Sequence, residues 1–128
     1  MHGIHVAGFP NLFVVSPSQG ANLISNVPHN LLEAGKTIAT IVAHGEEAGA
    51  DQIEVTQEAE NAWIDRLLAN PRMFGGNADC TPGYYNNEGQ PEGQAMLNMA
   101  GYPEGPVAYF HYIDGWRNSG DFEGLEFR

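Results

Sequence analysis

Pro10-Asn11-Leu12-Phe13-Val14-Val15-Ser16-Pro17-Ser18-Gln19-Gly20-Ala21-Asn22 opens the stretch, ending at His44, around which the chain is organised. Leu12 to Val15 is too short for a helix and rich in β-branched and aromatic residues, which is how a strand buried on both faces reads. The small polar residues Ser16 to Asn22 favour a tight turn. A long helix is predicted next, because Leu31, Ala34, Ile38, Ile41 and Val42 recur at spacings of three and four. Asn26 suits its N-cap, Pro28 its first turn and Gly49 its C-cap after Ala48. Strand, small-residue loop and helix form the unit with which α/β proteins present backbone N–H groups to a ligand. A buried parallel strand needs neighbours, and no second strand of this character follows.

The chain has 128 residues, one domain at most, with 42% hydrophobic residues and enough length for a modest core. Sixteen acids against five Lys and Arg give a net charge of −11. Nucleic acids and anionic membranes both need positive charge, so neither is an expected partner. The single cysteine, Cys80, excludes an internal disulfide and fits a reducing, cytoplasmic compartment. No apolar run approaches the length of a transmembrane helix, and no signal peptide is read at the N-terminus.

The remaining pattern is mainly helical. Ile53 and Val55 alternate with Gln52 and Glu54 as a short strand with one buried face. Thr56 caps a second predicted helix carrying Ala59, Trp63, Ile64, Leu67 and Leu68, which ends near Asn70-Pro71. Trp63 reads as a core anchor. Met73 to Gly93 has no period and is expected to be a long irregular loop, which in a compact domain is usually functional. Gly93 to Ala100 can form a short helix. Pro106 opens another, with Val107, Phe110, Ile113 and Trp116 along one side and Gly120 as its cap. Leu125 to Phe127 reads as a last strand, expected to pair with Ile53 to Val55. His2 and His5 lack neighbouring ligands at metal spacing, and Cys80 lacks a designated base. No metal site and no catalytic residue is therefore assigned. The expected class is α+β, mainly helical. It comprises one buried strand–loop–long helix unit from an incomplete α/β domain, further helices, a long irregular loop and a small two-stranded sheet, all in a single unit over 1–128.

Gly8-Phe9-Pro10-Asn11-Leu12-Phe13, Ser25-Asn26, Glu58-Ala59-Glu60-Asn61-Ala62-Trp63 and Cys80-Thr81-Pro82-Gly83-Tyr84-Tyr85-Asn86-Asn87-Glu88-Gly89 follow one another at a recognisable spacing. With the tail Trp116-Arg117 and Asp121 to Glu126, they resemble the C-terminal region of Baeyer–Villiger-type flavin-dependent monooxygenases, the family of cyclohexanone and phenylacetone monooxygenases. The resemblance covers nearly all of the chain. It implies a segment of a larger enzyme that oxygenates ketones with FAD, NADPH and O2, and it accounts for the missing strands, which in the family lie upstream. The family's dinucleotide motifs also lie upstream, and no Gly-x-Gly-x-x-Gly occurs here. The chain alone is thus expected to be inactive and to bind neither cofactor tightly.

By the same resemblance, Gln19, Gly20, Asn22, Ser25, Asn26 and Val27 would lie beside the flavin. Cys80, Thr81, Tyr84, Tyr85, Asn86 and Asn87 would belong to the loop that closes over NADPH and substrate. Two other readings stand beside this one. One is a stand-alone, non-catalytic binding or oligomerisation module derived from such an enzyme. The other is an unrelated small enzyme using His and carboxylates. The apolar surface from Leu12 to Val42 is expected to be covered by the missing N-terminal nucleotide-binding part or by self-association, giving a homo-oligomer.

Overall fold

The computed structural model describes residues 1–69, 79, 81–90 and 100–128. Its longest element is α1, Val27–Ala48. The side chain of Asn26 accepts the His29 N–H at 3.0 Å, and Gly49 ends the helix at φ 70° with its N–H on Glu46. That left-handed turn suits glycine, which lacks the Cβ that would clash. Thr56 caps α2, Gln57–Ala69, by accepting the Ala59 N–H at 3.1 Å. The third helix, α3, runs Pro106–Ser119, with Gly105 at φ 93° before it and Gly120 at φ 72° after it.

Two short strands close the structure. β1, Ile53–Val55, pairs antiparallel with β2, Leu125–Phe127, in the register Ile53↔Phe127, Glu54↔Glu126 and Val55↔Leu125. The register sets two glutamates opposite one another, a repulsive arrangement. Arg128 relieves it by bridging both carboxylates. Helix α1 lies close over this sheet at Gly45, where an added Cβ would come within 3.0 Å of Ile53 Cδ1.

The mainly helical α+β class matches the expectation, as do the bounds of α1, the sheet pairing and Trp63 as a core anchor. The buried strand does not. Residues 10–15 contain one isolated bridge, His5↔Phe13, while Leu12, Val14 and Val15 are 46%, 39% and 53% exposed. The segment meets Ile4 through the Val14 N–H on the Ile4 carbonyl at 2.7 Å. Asn11 ties the segment to β1, donating its N–H to the Ile53 carbonyl and accepting the Ile53 N–H, each at 2.9 Å. An apolar run marks where burial is favourable; the neighbours that would bury this one are not among the described residues.

Two helical stripes also differ. In α1 the buried positions are Asn30, Glu33, Ala34, Thr37, Ile41 and Gly45, while Leu31 and Leu32 face out. In α3 they are Tyr109, Ile113 and Trp116, and Val107 is 67% exposed. The core joins Trp63 and Leu67 of α2, those α3 residues, Ile41, Val55, Tyr102 and Phe122. The expected helix at 93–100 and the end of α2 near Asn70 lie outside the described residues. Among the described residues no helix is long and apolar enough to cross a membrane.

Candidate functional site

The loop before α1 is knotted by its own side chains. Asn22, at φ 60°, accepts the Leu23 N–H on Oδ1 at 2.6 Å. Its carbonyl accepts from Asn30 Nδ2 at 3.0 Å and Ser25 Oγ at 3.1 Å, and Asn30 Nδ2 also donates to Ser25 Oγ at 2.8 Å. Asn22 and Ser25 therefore shape the loop, leaving Asn26 exposed and Val27 half-buried at the mouth of the helix. The first turn of α1 carries no acid, so the positive end of its dipole is not offset locally. Asn30 Oδ1, buried and without a hydrogen-bond partner, lies one turn in.

Gly20 sits under the Tyr109 ring, where an added Cβ would be 2.8 Å from Cζ, and its carbonyl accepts the Tyr102 N–H at 2.9 Å. Tyr109 Oη in turn donates to the His2 carbonyl at 3.0 Å. The loop is thus pressed onto α3. Burial pushes the Tyr109 hydroxyl well above its ordinary range, so it stays a donor. Gln19, at φ 58°, faces elsewhere: it lines a cavity of about 270 Å³ with His5, Val14, Ser16, Ser18 and Glu60.

A second brace holds α1 to α3. Arg117 Nη2 meets Glu33 Oε2 at 2.7 Å and Asp114 Oδ1 at 3.0 Å, and Nη1 donates to Thr37 Oγ1 at 3.3 Å. Burial works to raise the Glu33 carboxyl, but hydrogen bonds from Lys36 and Arg117 outweigh it, and the group is held below its ordinary value. Glu33 and Arg117 stand on separate helices, α1 and α3. Their pairing across 84 positions has no local signal.

The other predicted group sits on a turn, Tyr84–Gly89. Asn86 is buried and organises it, accepting the Gly83 N–H at 2.8 Å and the Gly89 N–H at 3.2 Å while donating to the Thr81 carbonyl at 3.2 Å. Asn87, at φ 49°, donates to the Gln90 carbonyl at 3.1 Å. Thr81 and Tyr84 are exposed, Tyr84 at 75%. Cys80 and the Tyr85 side chain lie outside the described residues. Asn86 thus shapes its loop as Asn22 shapes the other. No group of three or more His, Cys, Asp or Glu that could hold a metal is found among the described residues.

No protein-family model matches the chain. Individual relatives do. Pentalenolactone D synthase of Streptomyces arenae is 38% identical over 132 residues, covering 100% of this chain and 22% of that protein. An FAD-binding monooxygenase of Hypomyces subiculosus is 34% identical over 126 residues, covering 98% of this chain and 21% of that one. Among solved structures, the polycyclic ketone monooxygenase of Thermothelomyces thermophila superposes with a TM-score of 0.76 at 27% identity, covering 100% of this chain and 21% of that one. A cyclohexanone monooxygenase variant from Rhodococcus sp. Phi1, bound to NADP+, gives 0.69 at 25% identity, over 98% of this chain and 21% of that one. The chain spans about a fifth of the length of the relatives it matches. Over its whole length, therefore, this chain is the counterpart of one segment of the Baeyer–Villiger-type flavin-dependent monooxygenases.

Proposed function

We propose that this chain is the C-terminal part of a Baeyer–Villiger-type monooxygenase that oxygenates ketones with FAD, NADPH and O2, and that it is inactive alone. The observation that carries the reading is the match of the entire chain to about a fifth of FAD-binding monooxygenases. The exposed Phe9, Leu12, Val14 and Val15 support it, since such a surface on a small domain marks a face that something else covers. The local chemistry fits a flavin edge and not a whole dinucleotide. The uncompensated end of α1, at Asn26 and Val27, is suited to an electron-rich ring, whereas the sequence carries no Gly-x-Gly-x-x-Gly phosphate-binding motif. Bound flavin would supply the redox chemistry of oxygen insertion. Gln19, Gly20 and the Asn22–Ser25 knot would hold the loop against α3 so that the mouth of α1 faces the ring. Thr81, Tyr84, Tyr85, Asn86 and Asn87, with Cys80, would belong to a loop closing over NADPH and substrate, its shape fixed by Asn86.

The test is reconstitution. Mixed or fused with a relative that lacks the matching segment, the chain should restore retained FAD and ketone-dependent NADPH oxidation. Leu12→Asp with Val15→Asp should abolish this while leaving the chain folded. Failure to restore flavin retention in any pairing, or sub-micromolar FAD affinity of the chain alone, would refute the proposal. Without that partner the same face favours self-association through 12–42, so light scattering of the isolated chain should give a dimer or larger. A monomer mass would remove this second claim. The cytoplasmic placement rests on the single cysteine.

A further inference from the structure

We infer that Gly101 and Tyr102 are positioning residues for the loop before α1. Tyr102, anchored in the aromatic core, carries the main-chain joint on which that loop rests, and the missing side chain at Gly101 lets the joint close. That the loop serves a flavin rests on the function proposed above. Tyr102 is 4% exposed. Its ring stacks on Trp63 of α2 and on Tyr112 of α3, each at 5.7 Å between centroids. The Arg66 guanidinium of α2 lies 4.6 Å from the centroid of the same ring. Two helices therefore hold the side chain, and the main chain it hangs from is held with it. The Tyr102 N–H donates to the Gly20 carbonyl at 2.9 Å.

One residue earlier the approach is closer still. A Cβ added at Gly101 would lie 2.9 Å from Asn22 Cβ and 3.0 Å from Asn22 Nδ2. Carbon atoms pack best at about 3.5–4.0 Å, so Asn22 would have to move. Gly101 is outside the positive-φ region, so the contact, not the backbone, is what calls for glycine there. Asn22 is also the centre of the knot, its carbonyl accepting from Asn30 Nδ2 and Ser25 Oγ. The loop has little slack elsewhere, since Gly20 is tied to Tyr102 and packed under the Tyr109 ring. A methyl group at position 101 would thus act through Asn22 on Asn30 and the first turn of α1. The positive end of a helix dipole acts over about one turn, so a small displacement there would weaken its hold on a flavin ring.

Gly101→Ala, Asn22→Gly and the double variant can be made in the full 15N-labelled chain. Gly115→Ala is the control, an open position on α3 where an added Cβ meets nothing within 4 Å. Asn22, at φ 60°, sits where glycine is at ease, and glycine removes the atoms that the new methyl group would meet. The readout is the side-chain amide resonance of Asn30. Gly101→Ala should displace it and Gly115→Ala should not. In the Asn22→Gly background Gly101→Ala should add nothing, the coupling expected of residues in contact. An unmoved Asn30 resonance, or an equal displacement in both backgrounds, would overturn the inference. If Gly101→Ala fails to fold, folding of the double variant supports the inference and its failure overturns it. In a fusion that retains FAD, Gly101→Ala should lower the flavin reduction potential, and Asn22→Gly should remove the difference between Gly101 and Ala. An unchanged potential with FAD retained overturns this inference alone. Failure of the unaltered fusion to retain FAD overturns the function and, with it, the flavin, while the Asn30 resonance still decides the joint.

Discussion

Replacing Arg117 with Ala removes the brace between α1 and α3. Glu33 and Arg117 are 11% and 10% exposed, so the pair is screened little by solvent. Breaking a buried pair by deleting one partner costs about 3–5 kcal/mol. Here Lys36 remains 2.8 Å from the Glu33 carboxylate. The orphaned charge is therefore partly held, and a loss of ~2–3 kcal/mol is expected. For a domain of this size that lowers Tm by roughly 6–15 °C. The pH dependence supplies a second check. The folded Glu33 carboxyl titrates below its ordinary 4.5, so the pair's contribution is complete above that value and is lost as pH falls through the folded one. Urea melts of wild type and Arg117→Ala should thus differ at neutral pH and converge in acid. A gap under about 0.5 kcal/mol at neutral pH would refute the assigned role. So would a gap that persists unchanged into strong acid.

Three further outcomes follow from the same contacts. His5→Gln should flatten the acid sensitivity of the chain: the folded His5 pKa of about 4 lies below the ordinary 6.5, so its stabilisation is full above 6.5 and is lost as pH falls between the two. The loss is on the order of 3 kcal/mol for this site, read from denaturant midpoints across that interval. Gly20→Ala drives a Cβ to within 2.8 Å of Tyr109 and should cost about 1–3 kcal/mol; an unchanged melting curve would show that the loop is not pressed on α3. Asn26→Ala removes the cap on His29 and should cost ~1 kcal/mol, with slowed amide exchange in the first turn of α1 as the contrary result.

The sequence alone was enough for whatever depends on neighbours along the chain. Asn26, Pro28 and Gly49 bound α1 because capping is a matter of adjacent backbone groups, and Thr56 starts α2 for the same reason. The two acidic–apolar triplets were legible as partners because alternation leaves each with a single face to bury. The resemblance to flavin monooxygenases was likewise carried by ordered local motifs. Tertiary structure decided which apolar residues are inside. Leu12, Val14 and Val15 read as core yet are exposed, while the polar Asn30, Glu33 and Thr37 are buried. Apolarity measures the gain from leaving water, but only packing partners determine whether that gain is realised. Glu33 and Arg117 come from elements far apart in sequence, and no spacing rule reaches across such a separation.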